Sequence, residues 1–228
     1  MPQRMDFSSA YYTPYPCPGI NITSVFNKYI CRGLIFAQDV TISTVVLNFQ
    51  CLLLFLISHT SAMYHLMSEE MLALSRVEYS TNRLSVQKKL SHLIKRHSLL
   101  LRIVECLRTL YNMPIGVNFG TNAFCICMFL FLNFEAWITF GPLLGYCFLV
   151  FFLYCYLCQK LIDASEVFER SVYSCGWESY CLEDMKSMFI VLKQAQQPAL
   201  LLAGYMIPVN IYTFATGMQF IYKFVTTL

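Results

Sequence analysis

The sequence predicts an all-α integral membrane protein with four transmembrane helices and long cytoplasmic helical extensions. Charged residues make up 13% of the chain, against about 25% in soluble domains. The apolar residues are concentrated in four uncharged blocks, at 40–68, 109–134, 136–159 and 194–222. Each block is longer than the roughly 20 residues that a helix needs to cross about 30 Å of hydrocarbon.

The positive charges predict the orientation of these helices. Twelve of the 16 Lys and Arg residues lie in the two long loops after the first block and before the last. Cytoplasmic loops are enriched in Lys and Arg, so both loops are expected inside and both termini outside. The predicted segments are an extracellular loop-like region at 1–39, transmembrane helices at 40–66, 114–134 and 137–159, cytoplasmic helices at 67–113 and 160–196, and a pore-lining transmembrane helix at 197–228.

Two features of the N-terminal region suit the oxidising outer side. Asn21 begins the tripeptide Asn-Ile-Thr, a potential glycosylation site. Cys17 and Cys31 are the two cysteines expected on that side, and we favour two free thiols over a disulfide between them. The Cys155-x-x-Cys158 pair lies in an apolar block, where thiols serve mostly as small hydrophobic groups rather than metal ligands.

The inner loops carry apolar residues at helical spacing. Between Leu90 and Tyr111 these residues recur at three- and four-residue steps, with lysines and arginines on the other face. A second apolar pattern covers Leu161–Leu192 and flanks Trp177. Such helices either lie on anionic lipid of the inner leaflet or pack together below the membrane as an assembly domain. Their length and balanced charge favour assembly.

Nothing in the sequence indicates an enzyme, a cofactor or a metal site. The four histidines, His59, His65, His92 and His97, are 6, 27 and 5 residues apart, so no two share a helix face. Glycine-rich phosphate loops and nucleophile elbows are absent from the sequence. Catalysis and nucleic-acid binding are therefore not expected.

The last apolar block differs from the others because it is rich in amides and hydroxyls. These groups can hydrate in a helix that lines a water-filled path, or they can bond to neighbouring helices inside a bundle. We favour the pore lining. Pro198 and Pro208 each lack a backbone donor and can bend or break this helix.

The order of several short motifs resembles the C-terminal half of insect odorant receptors. His97 with SLLLRIVECLRTLYN resembles the family's helix before its fifth span, and Cys125 occupies that span's usual cysteine position. SVYSCGW, with Tyr173 and Trp177, resembles the signature of the last inner loop. Gln197-Pro198-ALLLAG and the terminal YKFVTTL resemble the seventh span.

The resemblance implies a subunit of an odorant-gated, non-selective cation channel, with a small volatile hydrophobic odorant as ligand. Its expected partners are a co-receptor in a heterotetramer and membrane lipid. The expected location is the cell membrane of a sensory neuron dendrite. The four spans correspond to the fourth through seventh of the family, so we expect a fragment or a truncated isoform. The short inner loop favours a tuning subunit over the co-receptor.

This interpretation assigns roles to particular residues. Pore or gate residues are Gln219, Tyr222, Val225, Thr226 and Leu228, with Lys223 pointing away from the axis. The ligand pocket draws on Thr44, Leu47, Asn48, Phe134, Phe140, Leu144 and Tyr146. Assembly residues are His97, Tyr173 and Trp177. Two alternatives stay open at this point, a four-span scaffold or adaptor without a pore and a gustatory-type receptor of the same superfamily.

Overall fold

The computed structural model describes residues 25–75, 83–130 and 134–227, and these residues are mostly helical. The helices are α1 (Val25–Ser75), α2 (Arg83–Leu130), α3 (Phe134–Tyr173), α4 (Leu182–Ala195) and α5 (Ile211–Thr227). A single 3-10 turn, Trp177–Ser179, precedes α4. Two short antiparallel strands, β1 (Leu202–Ala203) and β2 (Ile207–Pro208), lie between α4 and α5.

The chain divides into two compact units, residues 1–53 and 54–228. The described part of the first unit is the N-terminal portion of α1, whose side chains are mostly exposed. Thr41 and Thr44 each donate their hydroxyl to the carbonyl four residues earlier, which satisfies these polar groups within the helix. Cys31 is disulfide-bonded, whereas Cys17 and Asn21 lie outside the described residues.

The core of the second unit is built from stripes at alternating three- and four-residue steps. In the first half of α2 the buried residues are Val86, Leu90, Leu93, His97, Leu100, Val104 and Leu107. The apolar pattern expected over 90–111 is therefore the buried face of this helix. On α3 the fully buried Leu161, Ala164 and Phe168 continue the same periodicity. The Ser61 hydroxyl donates to the Lys160 carbonyl at 3.1 Å and ties α1 to α3.

The first three helices are longer than the predicted segments. α1 begins at Val25, inside the region expected to be loop-like, rather than at residue 40. α2 continues through Pro114 and joins the predicted cytoplasmic helix to the predicted second span. α3 likewise runs from the third span into the second inner segment. The helical pattern continues from each of the first three apolar blocks into the neighbouring amphipathic stretch, so these helices need no break between the two.

Two of the described helices contain a stretch long and apolar enough to cross a membrane. These stretches are Tyr29–Leu74 and Gly141–Ser179. The first includes the whole of the first predicted span, and the second includes the third predicted span from residue 141 onward. The second predicted span is described only as far as Leu130, and α5 has 17 residues.

Candidate functional site: the last helix and its connector

One face of α5 packs against α2 and α3. The Phe214 ring lies 5.1 Å from the Phe151 ring of α3. Farther along α5, Ile221 is buried in a small core with Ile126 of α2 and Cys147 of α3. Phe214 and Ile221 are two helical turns apart, so they define the packed face.

Three of the proposed pore residues lie together on an exposed stripe of α5. Gln219, Tyr222 and Thr226 are three and four residues apart, and all three are exposed. Tyr222 is 70% exposed. Lys223 is also exposed and lies on one flank of this stripe. Val225 follows the buried Ile221 by one turn, at the other flank. The side chain of Val225 and the whole of Leu228 lie outside what the structure describes.

The helix predicted for residues 197–228 begins later than expected, at Ile211. Residues 198–210, which we call the connector, contain the two short strands instead of a helix. Pro198 disfavours helical backbone at the residue before it, and α4 ends at Ala195. Asn210 then caps α5, because its Oδ1 accepts the backbone N–H of Thr213 at 2.8 Å.

Side chains of α2 and α3 hold the connector by its backbone. The Arg108 guanidinium donates to the Leu200 carbonyl at 2.8 Å and to the Pro198 carbonyl at 3.1 Å. From α3, the Ser165 hydroxyl accepts the Ala199 N–H at 3.1 Å. These contacts supply partners for backbone groups that a helix would have satisfied internally.

Asn112 fixes the turn between the two strands. Its carbonyl accepts the Gly204 N–H at 3.2 Å, and its side-chain oxygen accepts the Tyr205 N–H at 2.6 Å. Gly204 and Tyr205 have φ angles of 62° and 61°. Positive φ costs a non-glycine residue about 1–2 kcal/mol, so the two bonds from buried Asn112 offset strain at Tyr205.

The turn also lies directly against the backbone of α2. A Cβ atom at Gly116 would be 2.7 Å from the Gly204 nitrogen and 3.0 Å from its Cα. Only glycine at position 116 allows this approach. Sequence reasoning did not find Arg108, Asn112 or Gly116. Asn112 and Gly116 could have been singled out from the sequence, since they are one helical turn apart on either side of Pro114.

Among the proposed assembly residues, His97 lies inside its own chain. Its side chain is 2% exposed, and its ring centroid is 4.9 Å from that of Phe168. Its Nε2 atom is buried without a hydrogen-bond partner among the described residues. Burial lowers the pKa of His97 from 6.5 to about 4 because the imidazolium ion loses its hydration. His97 can therefore affect an assembly surface only indirectly, by packing beneath it within its own chain.

Of the other two assembly residues, Trp177 borders an apolar surface. Tyr173 is 66% exposed. Trp177 lines an open cavity of about 440 Å³ together with Phe189 and Ile190 of α4, and both of these side chains are largely exposed. The indole N–H of Trp177 is buried and lacks an acceptor among the described residues.

The proposed pocket residues are distributed over both units. Thr44, Leu47 and Asn48 are exposed on α1. Leu144 and Tyr146 are half-buried and pack against the small core that contains Ile221. Phe134 and Phe140 belong to α3, and their side chains lie outside what the structure describes.

Comparison with known proteins identifies the lineage. The family model described as 7tm Odorant receptor matches residues 4–222 of this chain. The chain belongs to this odorant receptor family. The receptor is therefore a member of a membrane receptor family and not of an enzyme family, and the resemblance found in its motifs is confirmed.

The receptor spans about a third of the length of the curated relatives that it matches. Putative odorant receptor 85d of Drosophila melanogaster is 28% identical over 142 residues, which are 58% of this chain and 33% of that protein. Odorant receptor 22a of the same organism is 26% identical over 62% of this chain and 37% of that protein.

A solved structure shares the fold of the receptor. The insect olfactory receptor OR5 from Machilis hrabei matches with a TM-score of 0.68 at 17% identity, covering 93% of this chain and 55% of that one. The same protein in complex with eugenol matches with a TM-score of 0.65 at 16% identity.

Within residues 25–75, 83–130 and 134–227, no cluster of three or more potential metal ligands occurs. Cys155 and Cys158 are buried free thiols, as expected for small hydrophobic groups in an apolar helix.

Proposed function

We propose that this receptor chain is a subunit of an odorant-gated, non-selective cation channel in the cell membrane of a sensory neuron dendrite, and that α5 lines the pore. The observation that carries the proposal is the exposed stripe of Gln219, Tyr222 and Thr226. The Gln219 amide and the Tyr222 hydroxyl can contact a hydrated cation, whereas lipid offers them no partner. The Thr226 hydroxyl donates to the carbonyls of Tyr222 and Lys223 and can still accept from water. Family membership supports the same function.

The pore assignment also explains the two flanks of the stripe. On one flank, Lys223 can extend towards the outer headgroups, which keeps its charge away from a cation path. A narrow ring from four subunits, formed by Val225 on the other flank or by the last residue, Leu228, would block ions by dewetting in the closed state.

Four transmembrane spans complete the proposed topology. α5 would measure about 25 Å at 1.5 Å per residue, close to the thickness of the hydrocarbon core. The connector then lies at the inner end of the pore helix. Irregular backbone is tolerated at membrane depth only where protein buries it, and the bonds from Arg108, Asn112 and Ser165 provide that cover.

The ligand we propose is a small hydrophobic odorant. A relative with this fold forms a complex with eugenol, which is a ligand of this chemical class. Leu144 and Tyr146 belong to a packed apolar cluster beside α5, and burial of apolar surface and shape would dominate binding there. Thr44, Leu47, Asn48, Phe134 and Phe140 remain the other proposed lining residues.

Assembly into a heterotetramer with a co-receptor would use the apolar surface of Trp177, Phe189 and Ile190. A tryptophan carries much contact area, and Trp177 lies in an open cavity beside two largely exposed apolar side chains. Tyr173 is the other exposed residue that we propose for assembly. We expect Trp177→Ala to lose assembly before it loses membrane insertion, as native electrophoresis would show. Oligomers of normal size for this variant would refute the role of Trp177.

Current recordings test the channel function. Cells that express a seven-span receptor carrying this sequence, together with a co-receptor, should give cation currents in response to a panel of volatile odorants. Gln219→Ala should change the relative permeability to cations. Silence across the panel despite normal surface expression would favour a scaffold without a pore. Responses to non-volatile tastants alone would favour a gustatory-type receptor.

A further inference from the structure

A cavity of about 430 Å³ lies between the end of α1 and the first turns of α2. It is well separated in sequence from α5 and from the connector. Its lining residues are Glu70, Ala73 and Leu74 of α1 with Lys88, Lys89, His92 and Leu93 of α2. The volume is within the range of sites that hold small ligands.

The charge of this cavity is positive because its carboxylate is already paired. Both oxygens of Glu70 accept Nη1 of Arg96, at 2.6 and 2.7 Å. Lys88 and Lys89 have no carboxylate partner among the described residues. His92 is one helical turn from Lys88 on the same helix face. Two ammonium groups and an imidazole thus surround a cavity whose acid is neutralised.

We propose that this cavity binds the phosphomonoester groups of a polyanionic ligand. Lysine ammonium groups act as point charges for phosphate oxygens, and His92 adds a further nitrogen. The side chains of Ala73, Leu74 and Leu93 form an apolar wall against which the carbon ring of a polyol phosphate can lie.

The position of the cavity favours an inner-leaflet phosphoinositide as the source of these phosphates. The assignment to a lipid rests on the proposed function and its membrane topology, in which the first span, 40–66, ends on the cytoplasmic side. Glu70 and Leu74 then lie about 6–12 Å beyond that boundary at 1.5 Å per residue. The headgroup layer is roughly 5–8 Å thick, so phosphates that project from it come within reach of Lys88 and Lys89.

Binding to the purified chain in detergent tests the site without requiring a channel. Labelled inositol trisphosphate should bind, and a double variant with Lys88→Gln and Lys89→Gln should bind at least about tenfold more weakly, because it loses two charge-assisted contacts. The matched control is Lys95→Gln with Lys193→Gln, which removes the same charge from exposed positions outside the cavity. The control should bind within about twofold of the unmodified chain.

Glu70→Gln provides a test of opposite sign. It frees Arg96 and should tighten binding of inositol trisphosphate about threefold or more, because the potential in the cavity becomes more positive. No binding, equal losses in the lysine variant and its control, or a loss of affinity with Glu70→Gln would overturn the proposal.

Nanodiscs then distinguish the two sources of phosphate. Stronger binding to nanodiscs containing phosphatidylinositol bisphosphate than to soluble inositol trisphosphate supports the lipid. Equal or weaker binding supports a soluble polyphosphate at the same site. Nanodiscs with phosphatidylserine at equal charge report the diffuse attraction to anionic lipid, which the lysine variant and its control should share. If the lysine variant retains inositol trisphosphate binding while channel currents persist, this site fails and the proposed function stands.

Discussion

Replacing Gly116 by Ala would place a methyl group 2.7 Å from the backbone nitrogen of Gly204. Packed heavy atoms prefer separations of about 3.5–4.0 Å. Both contacting atoms belong to backbone, and the turn that carries Gly204 is held by Asn112. Relief therefore requires movement of the connector away from α2, at the cost of these bonds.

Gly120 offers a matched control one turn farther along α2, because a Cβ there would meet no atom within 4 Å. Alanine raises helix propensity by about 1 kcal/mol at both positions. The difference between the two variants thus isolates the steric cost at Gly116, which is about 1–3 kcal/mol for an overpacked site.

Thermal unfolding of the two variants in the same detergent measures this difference. One kcal/mol corresponds to about 2–4 °C for a chain of this size, so Gly116→Ala should melt roughly 2–12 °C below Gly120→Ala. Melting temperatures within about 1 °C of each other would mean that the connector does not lie against Gly116 in the folded protein.

Three other predictions concern His97, the connector and the pore helix. Between pH 6.5 and about 4 the unfolded state binds a proton at His97 and the folded state does not. The contribution of neutral His97 to the free energy of unfolding should therefore be fully present above pH 6.5 and fall by up to about 3 kcal/mol as the pH is lowered to about 4. His97→Leu should remove this pH dependence from melting curves. An unchanged acid slope in this variant would refute the prediction. Arg108→Gln should lower stability by about 1–2 kcal/mol because it weakens two bonds to connector carbonyls, and no change in melting temperature would contradict that role. In current recordings Val225→Ala should raise leak current while Lys223→Gln leaves ion selectivity nearly unchanged, and the reverse result would show that the pore face of α5 is rotated.

The apolar blocks were enough to predict the helical class, and the order of several short motifs, SVYSCGW among them, was enough to predict the family by resemblance. The spacing from Leu90 to Leu107 also predicted the buried face of α2, since helical periodicity is a local property. Tyr173 and Trp177 were singled out because SVYSCGW resembles the signature of the family's last inner loop. The sequence could not place His97, because an apolar stripe does not tell whether its partner is in the same chain or in another.

Tertiary structure alone decided the connector. Pro198 and Pro208 predicted a bend, but their local effect does not say which groups replace the lost helical bonds. Those groups come from Arg108 and Asn112, about 90 residues earlier in the chain. Likewise, Lys88 and Lys89 look like any solvated helix face until Glu70 is seen to be held by Arg96. Helix spacing fixes which side chains share a face, whereas the packing of distant segments fixes what that face meets.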